Sequence, residues 1–328
     1  MMKVAITGAS GQLGSSVLLE LLRRDYALKA LVRKDTRSLE GLPVEKIKGD
    51  LLDPASLVAL LKDCETLIHC AAIVPVHGDT AQKVAAVNVD GTRQLMQISR
   101  DAGIRRVVHI SSVQVYQQEP VLEMMDETRG PVQDKTFIYH CSKRKGEETA
   151  LSFHQPGSME VIVMQPTAVM GPYDYKPSKM GKALMDLYRG KLPFIFDGGF
   201  DFCDARDLAV AIVNALTMGR PGEKYLLGGQ WYPLKELAQI MSTVTGKKIK
   251  PYILPYMLGR TGLPFIQLLG TLQKKDPLYT REVLAALFGG NRCISSKKAM
   301  QELDYRTRPL EETLSDTLQW FRQMGYLD

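Results

Sequence analysis

The first 165 residues alternate short apolar runs with longer amphipathic stretches, and this alternation restricts the possible folds more than any other feature of the chain. Runs such as VVHIS and VIVM are apolar throughout, as expected for strands that are buried on both faces. Strands that alternate with helices in this way form a parallel sheet between two layers of helices. We therefore predict an α/β fold with a doubly wound parallel sheet. The predicted strands are 4–7, 28–32, 66–70, 106–111 and 160–164, and the predicted helices are 13–24, 54–62, 84–102 and 139–153.

The segment TGASGQLG at residues 7–14 directly follows the first predicted strand and opens the first predicted helix. Glycines at such a junction let the backbone bend tightly and approach a pyrophosphate, whose charge then rests on free N–H groups at the positive end of the helix. The spacing here is GxxGxxG. Its position favours a dinucleotide site in a Rossmann fold over a plain tight turn.

The second predicted strand ends in Arg33 and Lys34. An NAD enzyme usually has an acidic residue near this point to hold the ribose 2′-hydroxyl, whereas positive charge suits a 2′-phosphate. We therefore expect NADP(H) as the preferred cofactor. NAD(H) stays possible because Asp35 could take the acidic role, and the basic pair could also be solvated. The segment 49–51 could hydrogen-bond and pack on an adenine, although a plain turn explains it as well.

The alternation breaks after Gln165, where prolines and glycines divide the chain into short pieces. We predict a dinucleotide-binding Rossmann domain at 1–165. Residues 203–230 are expected to return to it, because they contain a predicted helix and a predicted strand. Residues 166–202 and 231–328 then form the main part of a smaller, mostly C-terminal substrate-binding domain.

Composition excludes several classes of protein. A chain of 328 residues suits about two domains, and 45% hydrophobic with 24% charged residues excludes a disordered chain. The net charge of +6 comes without a long basic run, so no nucleic-acid partner is implied. The five cysteines contain no CxxC pair, which gives no support to disulfides or a structural metal.

The sequence also predicts where the protein works. The N-terminal MMKVAITGAS leaves no room for an export signal. The one long apolar stretch, 251–270, contains three prolines and Arg260, which disqualify it as a membrane span. We therefore expect a cytoplasmic protein without stable membrane insertion.

Tyr139 and Lys143 are spaced i, i+4, so on a helix their side chains share one face. A phenol with a pKa of about 10 is a poor base at neutral pH, but a neighbouring ammonium favours its ionised form. Tyr139 could therefore act as a general acid or base. Ser112 lies where the strand beginning at 106 ends, at the edge where ligands bind in open α/β sheets. Asn88 could relay protons or serve a structural role.

Together, these segments resemble the extended short-chain dehydrogenase/reductases of the NAD-dependent epimerase/dehydratase superfamily. The resemblance spans nearly the whole chain, and its motifs are specific in combination. They are TGASGQLG at 7–14, HCAA at 69–72, VNVDGT at 87–92, ISSVQVY at 110–116, YHCSK at 139–143, QPTAVMGP at 165–172, DARDLA at 204–209 and YLLGG at 225–229.

The resemblance implies roles for individual residues. Ser112, Tyr139 and Lys143 would form the catalytic triad, with Lys143 also holding the nicotinamide ribose. The remaining predicted cofactor residues are Gly8, Gly11 and Gly14 on the pyrophosphate with Gln12 and Leu13 between them, Asp50 and Leu51 at the adenine, Ala71 and Ala72 along the cleft, and Pro166 at the loop over the nicotinamide. The family also implies a homodimer formed through the helices at 84–102 and 139–153.

Within this family the chain looks most similar to the dihydroflavonol reductase and hydroxysteroid dehydrogenase-like subgroup. Residues 198–203 lack the arginine with which sugar-nucleotide enzymes often grip a diphosphate, and we interpret Arg206 on the next predicted helix as a structural charge. Val113 and Gln114 replace the acidic pair typical of dehydratases, although epimerisation stays open. The apolar residues between 253 and 269 could line a pocket or form core.

Three hypotheses follow. The first is an NADP(H)-dependent oxidoreductase that transfers hydride to or from a carbonyl or hydroxyl of a fairly apolar small molecule. The second is a nucleotide-sugar epimerase or dehydratase. The third is a non-catalytic NADP(H)-binding sensor or scaffold, against which the intact triad argues.

Overall fold

The computed structural model describes residues 2–75, 79–133, 136–255, 257–258 and 279–328. Its strands are β1 (Lys3–Thr7), β2 (Ala27–Val32), β3 (Glu45–Lys48), β4 (Thr66–His69), β5 (Arg106–Ile110), β6 (Glu160–Pro166), β7 (Ala168–Met170), β8 (Phe194–Phe196), β9 (Gly199–Asp204), β10 (Lys224–Leu227), β11 (Gln230–Pro233) and β12 (Tyr252–Leu254). Its α-helices are α1 (Gln12–Arg23), α2 (Pro54–Leu61), α3 (Ala81–Ala85), α4 (Thr92–Asp101), α5 (Ile138–Leu151), α6 (Lys179–Tyr188), α7 (Ala205–Asn214), α8 (Leu234–Thr245), α9 (Arg281–Gly289), α10 (Lys297–Glu302) and α11 (Leu310–Gln323).

Seven strands form one parallel sheet in the order β10-β6-β5-β4-β1-β2-β3. The order reverses between β1 and β4, so the loops that follow these two strands diverge to opposite faces of the sheet. Ligands of open α/β sheets bind in the crevice at such a point, outside the carboxyl ends of the strands. The predicted Rossmann-type α/β fold is confirmed.

Alternation along the strands gives the sheet an apolar core on each face. In β1, Val4 and Ile6 join the core that includes α1 and α7, while Ala5 joins the core that includes α2 and α4. Successive strand side chains point to opposite faces, so a strand covered on both sides must be apolar at nearly every position. This requirement explains the uninterrupted apolar runs of the sequence.

The helical stretch predicted at 84–102 is interrupted. The chain passes from α3 through a π-helical turn at Ala86–Gly91 into α4. A π-helical turn adds a residue to the helix and commonly occurs at functional positions. Asn88 lies in this turn and is buried.

The rest of the chain packs at the carboxyl edge of the sheet and along one side of it. Strands β11, β9 and β7 form a three-stranded sheet, and β12 pairs with β8. Helices α6, α8 and α11 share a separate apolar core with β7, β8, β9 and β11. Residues 203–230 supply α7, which packs on α1, and β10 at the edge of the parallel sheet. The division into two domains stays a prediction. In the part of the chain that the structure describes, no helix is long and apolar enough to cross a membrane.

Candidate active site

The glycine turn closes tightly against the loop after β4. Gly8 has a φ of +75°, and a Cβ there would lie 2.6 Å from the backbone nitrogen of Ala71. A Cβ on Gly14 would lie 2.1 Å from the carbonyl oxygen of Gly8. A Cβ on Gly11 would meet only that same oxygen, at 3.4 Å, and Gly11 is exposed. Gly8 and Gly14 thus allow close packing, whereas Gly11 leaves open space at the crevice.

Helix α1 begins at this turn without a side-chain cap and without an acidic residue in its first turn. The first N–H groups of a helix lack intrahelical partners, so they are available to an anion at this position. Gln12 donates from Nε2 to the carbonyl oxygen of Gly171 at 3.0 Å. Leu13 packs on the core. Gln12 therefore ties the turn to the chain beyond β7.

Five charged residues follow β2 or face its end. Arg33 and Lys34 are exposed, and Arg33 Nη1 lies 3.6 Å from a carboxylate oxygen of Asp50. The Asp35 carboxylate accepts from Arg37 Nε at 3.0 Å and Nη2 at 2.7 Å, and this bonding to Arg37 lowers the pKa of Asp35. Asp35 is therefore already paired. Arg37 is absent from the predicted site, and only its position two residues after Asp35 hints at the pairing.

The predicted adenine residues lie beside this charged group. The Asp50 carboxylate accepts from the backbone N–H of Leu52 at 3.0 Å. The Leu51 side chain is buried in the core, and its carbonyl oxygen accepts from Gln94 at 3.1 Å. Ala71 is half-buried and Ala72 is exposed along the crevice.

The three predicted catalytic residues meet at the carboxyl edge of the sheet. Ser112 follows β5, and Tyr139 lies in the first turn of α5. Burial raises the pKa of Tyr139, the nearby Ser112 side chain lowers it, and the charge of Glu282 on α9 raises it. Lys143, one turn along α5, donates to the carbonyl oxygen of Ile110 at 2.6 Å. Burial lowers the pKa of Lys143 to about 8.

Asn88 holds two other parts of the site together. Its Oδ1 accepts from the backbone N–H of Ile73 at 2.7 Å, and its Nδ2 donates to the Ile73 carbonyl and to Ser142 Oγ, each at 3.0 Å. Ser142 in turn donates to the carbonyl oxygen of Tyr139 at 2.9 Å. These contacts favour the structural interpretation of Asn88, because its amide is occupied in joining the loop after β4 to α5.

A buried polar layer lies beneath the crevice, and its residues are absent from the predicted site. Thr7 Oγ1 lies 2.7 Å from His69 Nδ1, and His69 Nε2 lies 3.1 Å from Thr92 Oγ1. Burial lowers the pKa of His69 to about 3 and that of His109 well below its ordinary value. Both imidazoles are therefore neutral near pH 7. The HCAA and VVHIS motifs place these histidines in adjacent strands, and this is the signal that could have identified them.

Other predicted features lie around the reacting residues. Pro166 is buried at the end of β6. Arg206 donates to both oxygens of Asp204 and to Asp316, in agreement with a structural charge. Of the apolar stretch 253–269, residues 256 and 259–269 lie outside the described residues. Among the described residues, no group of three or more His, Cys, Asp or Glu could hold a metal ion.

The chain matches one family model and is similar to known proteins along nearly its whole length. A family model, the NAD dependent epimerase/dehydratase family, matches residues 4–228. Sterol demethylase protein B of Methylococcus capsulatus is 31% identical over 340 residues, which cover 99% of this chain and 100% of the relative. A putative dihydroflavonol 4-reductase of Synechocystis sp. is 28% identical over 344 residues, which cover 98% of this chain and 95% of the relative.

Among solved structures, the crystal structure of gox2253 superposes with a TM-score of 0.83 at 30% identity. The match covers 100% of this chain and 99% of that chain. The similarity therefore extends beyond the glycine turn and the parallel sheet to the C-terminal half.

Proposed function

Because the chain belongs to the NAD-dependent epimerase/dehydratase family and is an enzyme of the extended short-chain dehydrogenase/reductase type, we propose that it is an NADP(H)-dependent oxidoreductase. Its reaction would transfer hydride to or from a carbonyl or hydroxyl of a fairly apolar small molecule. The observation that carries this proposal is the convergence of Ser112, Tyr139 and the buried Lys143 at the carboxyl edge of the sheet, beside its reversal point, with Lys143 Nζ 2.6 Å from the carbonyl oxygen of Ile110.

The residues present suit a dinucleotide. The open space at Gly11 and the uncapped start of α1 would receive the pyrophosphate, with Gln12, Leu13 and Gly14 forming the turn. Ala71, Ala72 and Pro166 would line the cleft, Asp50 and Leu51 would face the adenine, and Lys143 would hold the nicotinamide ribose. When bound, the cofactor supplies or accepts the hydride.

The residues of the chain would supply the polar steps. In the reducing direction Ser112 donates a hydrogen bond to the substrate oxygen, and Tyr139 gives that oxygen its proton. Burial raises the pKa of Tyr139, which keeps its phenol protonated near pH 7 and suits this role as a general acid. The Lys143 ammonium lies on the same face of α5 and stabilises the phenolate that forms.

Pairing around β2 supports a preference for NADP(H). Asp35 bonds to Arg37 through both carboxylate oxygens, so part of its acceptor capacity is used and its negative charge is partly neutralised. Arg33 and Lys34 remain exposed and could meet a 2′-phosphate. The single contact of Arg33 with Asp50, at 3.6 Å, is a weak surface pair.

Two observations favour a fairly apolar substrate over a sugar nucleotide. The guanidinium of Arg206 is engaged by Asp204 and Asp316, so it is not free to grip a diphosphate. The names of two relatives refer to a sterol and to a dihydroflavonol, neither of which is a sugar nucleotide. The alternatives are a nucleotide-sugar epimerase, as the family name suggests, and a non-catalytic sensor.

Thermal unfolding with NADPH, NADH, NADPH plus UDP-glucose, or no ligand tests the cofactor and the alternatives. A ligand that binds only the folded state raises the unfolding midpoint. We expect a larger shift with NADPH than with NADH, no added shift from UDP-glucose, and a loss of the NADPH advantage in Arg33→Ala. Arg93→Ala removes another exposed arginine and is the control. A larger NADH shift would contradict the NADP(H) preference, and an added UDP-glucose shift would favour the epimerase.

Turnover is tested by NADPH oxidation with steroid and aromatic ketones. Oxidation with one of these ketones and none with UDP-4-ketosugars would support the reductase. NADPH binding without turnover across the panel would favour the sensor.

Two further predictions concern the state of the protein. We propose a homodimer formed through the helical stretches 84–102 and 139–153, which light scattering after size exclusion would test. We also propose a cytoplasmic location, which the five free cysteines support.

A further inference from the structure

A carboxylate that the proposed mechanism does not use lies buried beside the reacting residues. Glu147 is one turn after Lys143 on α5 and is 3% exposed. Its Oε2 accepts from Ser111 Oγ at 2.5 Å and from Gln165 Nε2 at 2.8 Å. Its Oε1 lies 2.7 Å from Lys224 Nζ on β10. The donors to these two oxygens therefore come from three neighbouring strands. Ser111 directly follows β5, Gln165 lies on β6 and Lys224 lies on β10.

Glu147 reaches the reacting residues from two sides. On its own helix, its negative charge favours the ammonium form of Lys143 and raises the pKa of that lysine against the larger effect of burial. Across the sheet, its bond to Ser111 holds the residue immediately before Ser112. The Lys224 side chain is 36% exposed, so the network extends from the buried lysine to the surface.

The other titratable groups around Lys143 are neutral near pH 7. Burial lowers the pKa of His69 to about 3 and that of His109 well below its usual range, and burial raises the pKa of Cys70 to about 12. The pKa of Tyr139 is also raised by burial. Among the described groups that act on Lys143, Glu147 is thus the carboxylate that offsets its desolvation.

On the Glu147 side, the charged and titratable neighbours are Lys143 on α5, Lys224 on β10, and Tyr116 after β5. Burial is the main cause that raises the pKa of Tyr116, and the charge of Glu147 adds to it. Tyr116 donates to Gln165 Oε1 at 2.8 Å and remains protonated. Lys224 is the one cation in this set other than Lys143, so it competes with Lys143 for the charge of Glu147.

We propose that Glu147 is a positioning residue, whose buried carboxylate keeps Lys143 cationic and holds Ser111 beside Ser112, while Lys224 sets how much of that negative charge acts on Lys143. The role of the cation in holding cofactor rests on the proposed function. The coupling between the two side chains is a property of the folded chain without ligand.

The first test measures NADPH affinity from pH 6 to 10 by quenching of protein fluorescence. Wild-type affinity should fall as Lys143 loses its proton near its pKa of about 8. In Glu147→Gln this fall should begin about one pH unit lower. In Lys224→Gln it should begin at higher pH, because the charge of Glu147 is then less neutralised. Glu148→Gln, at the exposed neighbouring position, should match the wild type.

A purely structural role would weaken binding equally at every pH. Two results would overturn the proposal. In the first, Glu147→Gln and Lys224→Gln both move the alkaline loss of NADPH affinity in the same direction along the pH axis. In the second, Glu147→Gln leaves the pH dependence of NADPH affinity unchanged.

The second test needs no cofactor and compares thermal unfolding with pH in wild type, Glu147→Gln, Lys143→Met and the double variant. A lysine whose pKa is about 8 when folded, against an ordinary 10.5, binds fewer protons in the folded state than in the unfolded state between those values, so stability rises with pH there. In Glu147→Gln the rise in stability should begin at lower pH than in the wild type. In the Lys143→Met background, adding Glu147→Gln should no longer change the pH at which stability rises. Persistence of the effect without Lys143 would contradict the coupling. A wild type that bound neither nucleotide would refute the proposed function alone, because this measurement would still decide the role of Glu147.

Discussion

At the residue scale, the proposed reaction depends on the Tyr139 hydroxyl for proton transfer. Tyr139→Phe keeps the ring and removes the hydroxyl on which Ser112 acts. We expect turnover to fall by roughly 10²- to 10⁴-fold, the range of general acid catalysis, while the NADPH dissociation constant changes little. Steady-state kinetics and fluorescence titration measure the two quantities. Tyr232→Phe removes a hydroxyl that donates to Gln230 and is the control. Full turnover in Tyr139→Phe would assign the proton to another group.

His109 offers a second residue-scale prediction, this time on stability. Within the described residues neither of its ring nitrogens has a hydrogen-bond partner, and the residue is 3% exposed. Unpaired buried polar atoms are costly, so His109→Leu should raise the free energy of unfolding by about 1 kcal/mol at pH 7. Denaturant unfolding measures this. His154→Leu should instead destabilise, because His154 Nδ1 accepts from Val161.

The same histidine sets an acid dependence. The pKa of His109 is lowered by burial, so below its ordinary 6.5 the unfolded state binds a proton that the folded state excludes. The stability that depends on a neutral His109 is therefore complete above pH 6.5 and is lost as the pH drops. His109→Leu should show a shallower decline between pH 6.5 and 4, with His69 and the carboxylates of lowered pKa, such as Asp35, responsible for what remains. An equal slope in both proteins would show that His109 does not contribute.

Residues that follow strand ends could be predicted from sequence, and residues defined by their partners could not. A strand end predicts the position of Ser112, because the carboxyl ends of parallel strands share one edge of the sheet. The i, i+4 spacing predicts that Lys143 shares a helix face with Tyr139. Glu147 continues that helical spacing, but its donors come from β5, β6 and β10. Glu282 acts on Tyr139 from a helix 143 residues away along the chain. No local pattern indicates such contacts.

At the element scale, the close packing of the π-helical turn on α5 determines how the chain runs beside the site. Gly146 lies within α5, and a Cβ there would lie 2.5 Å from the carbonyl oxygen of Asn88. The bonds from Asn88 to Ile73 and Ser142 fix the turn at this distance. The apolar periodicity predicts one helix at 84–102, because a single added residue does not visibly change the spacing of the apolar side chains.

Because of this contact, a glycine-to-alanine substitution should change the free energy of unfolding in the direction opposite to the usual one. Glycine to alanine inside a helix normally stabilises by up to about 1 kcal/mol. Gly146→Ala should instead destabilise by roughly 1–3 kcal/mol, because the methyl group would overlap a backbone oxygen. Gly289 is also helical and has nothing within 4 Å, so Gly289→Ala is the control and should be neutral or stabilising. Denaturant unfolding compares them, and a stabilised Gly146→Ala would contradict the packing.

At the scale of the whole molecule, the end of the chain returns to the parallel sheet. Ala299, Leu303 and Tyr305 are buried in the same apolar core as α1 and α7. The α/β class was predictable because buried parallel strands require continuous apolar runs. The return of residues 299–305 was not, because three apolar side chains in a polar stretch do not specify which surface they cover.

Arg308 joins this C-terminal segment to α7. It donates from Nε at 2.9 Å and from Nη2 at 2.7 Å to Asp207 on α7, and Nε lies 3.6 Å from Asp204, whose side chain is 0% exposed. Removing one partner of a buried pair leaves a charge without compensation, so Arg308→Ala should lower the free energy of unfolding by about 3 kcal/mol. Arg306→Ala breaks a pair with Asp304 that is largely exposed and should cost less than about 1 kcal/mol.

The same pair of variants separates local fraying from global stability. If the C-terminal segment and the parallel sheet unfold together, Arg308→Ala should lower two denaturant midpoints by the same amount. These are the midpoint for loss of the circular dichroism signal and the midpoint for loss of NADPH binding, because both report one cooperative unit. If the segment only caps the sheet, Arg308→Ala should increase hydrogen exchange in α10 and α11 while β1 and β4 keep their protection. Since Leu303 and Tyr305 share the core of α1 and α7, we expect the cooperative outcome. Selective exchange in α10 and α11 would contradict it.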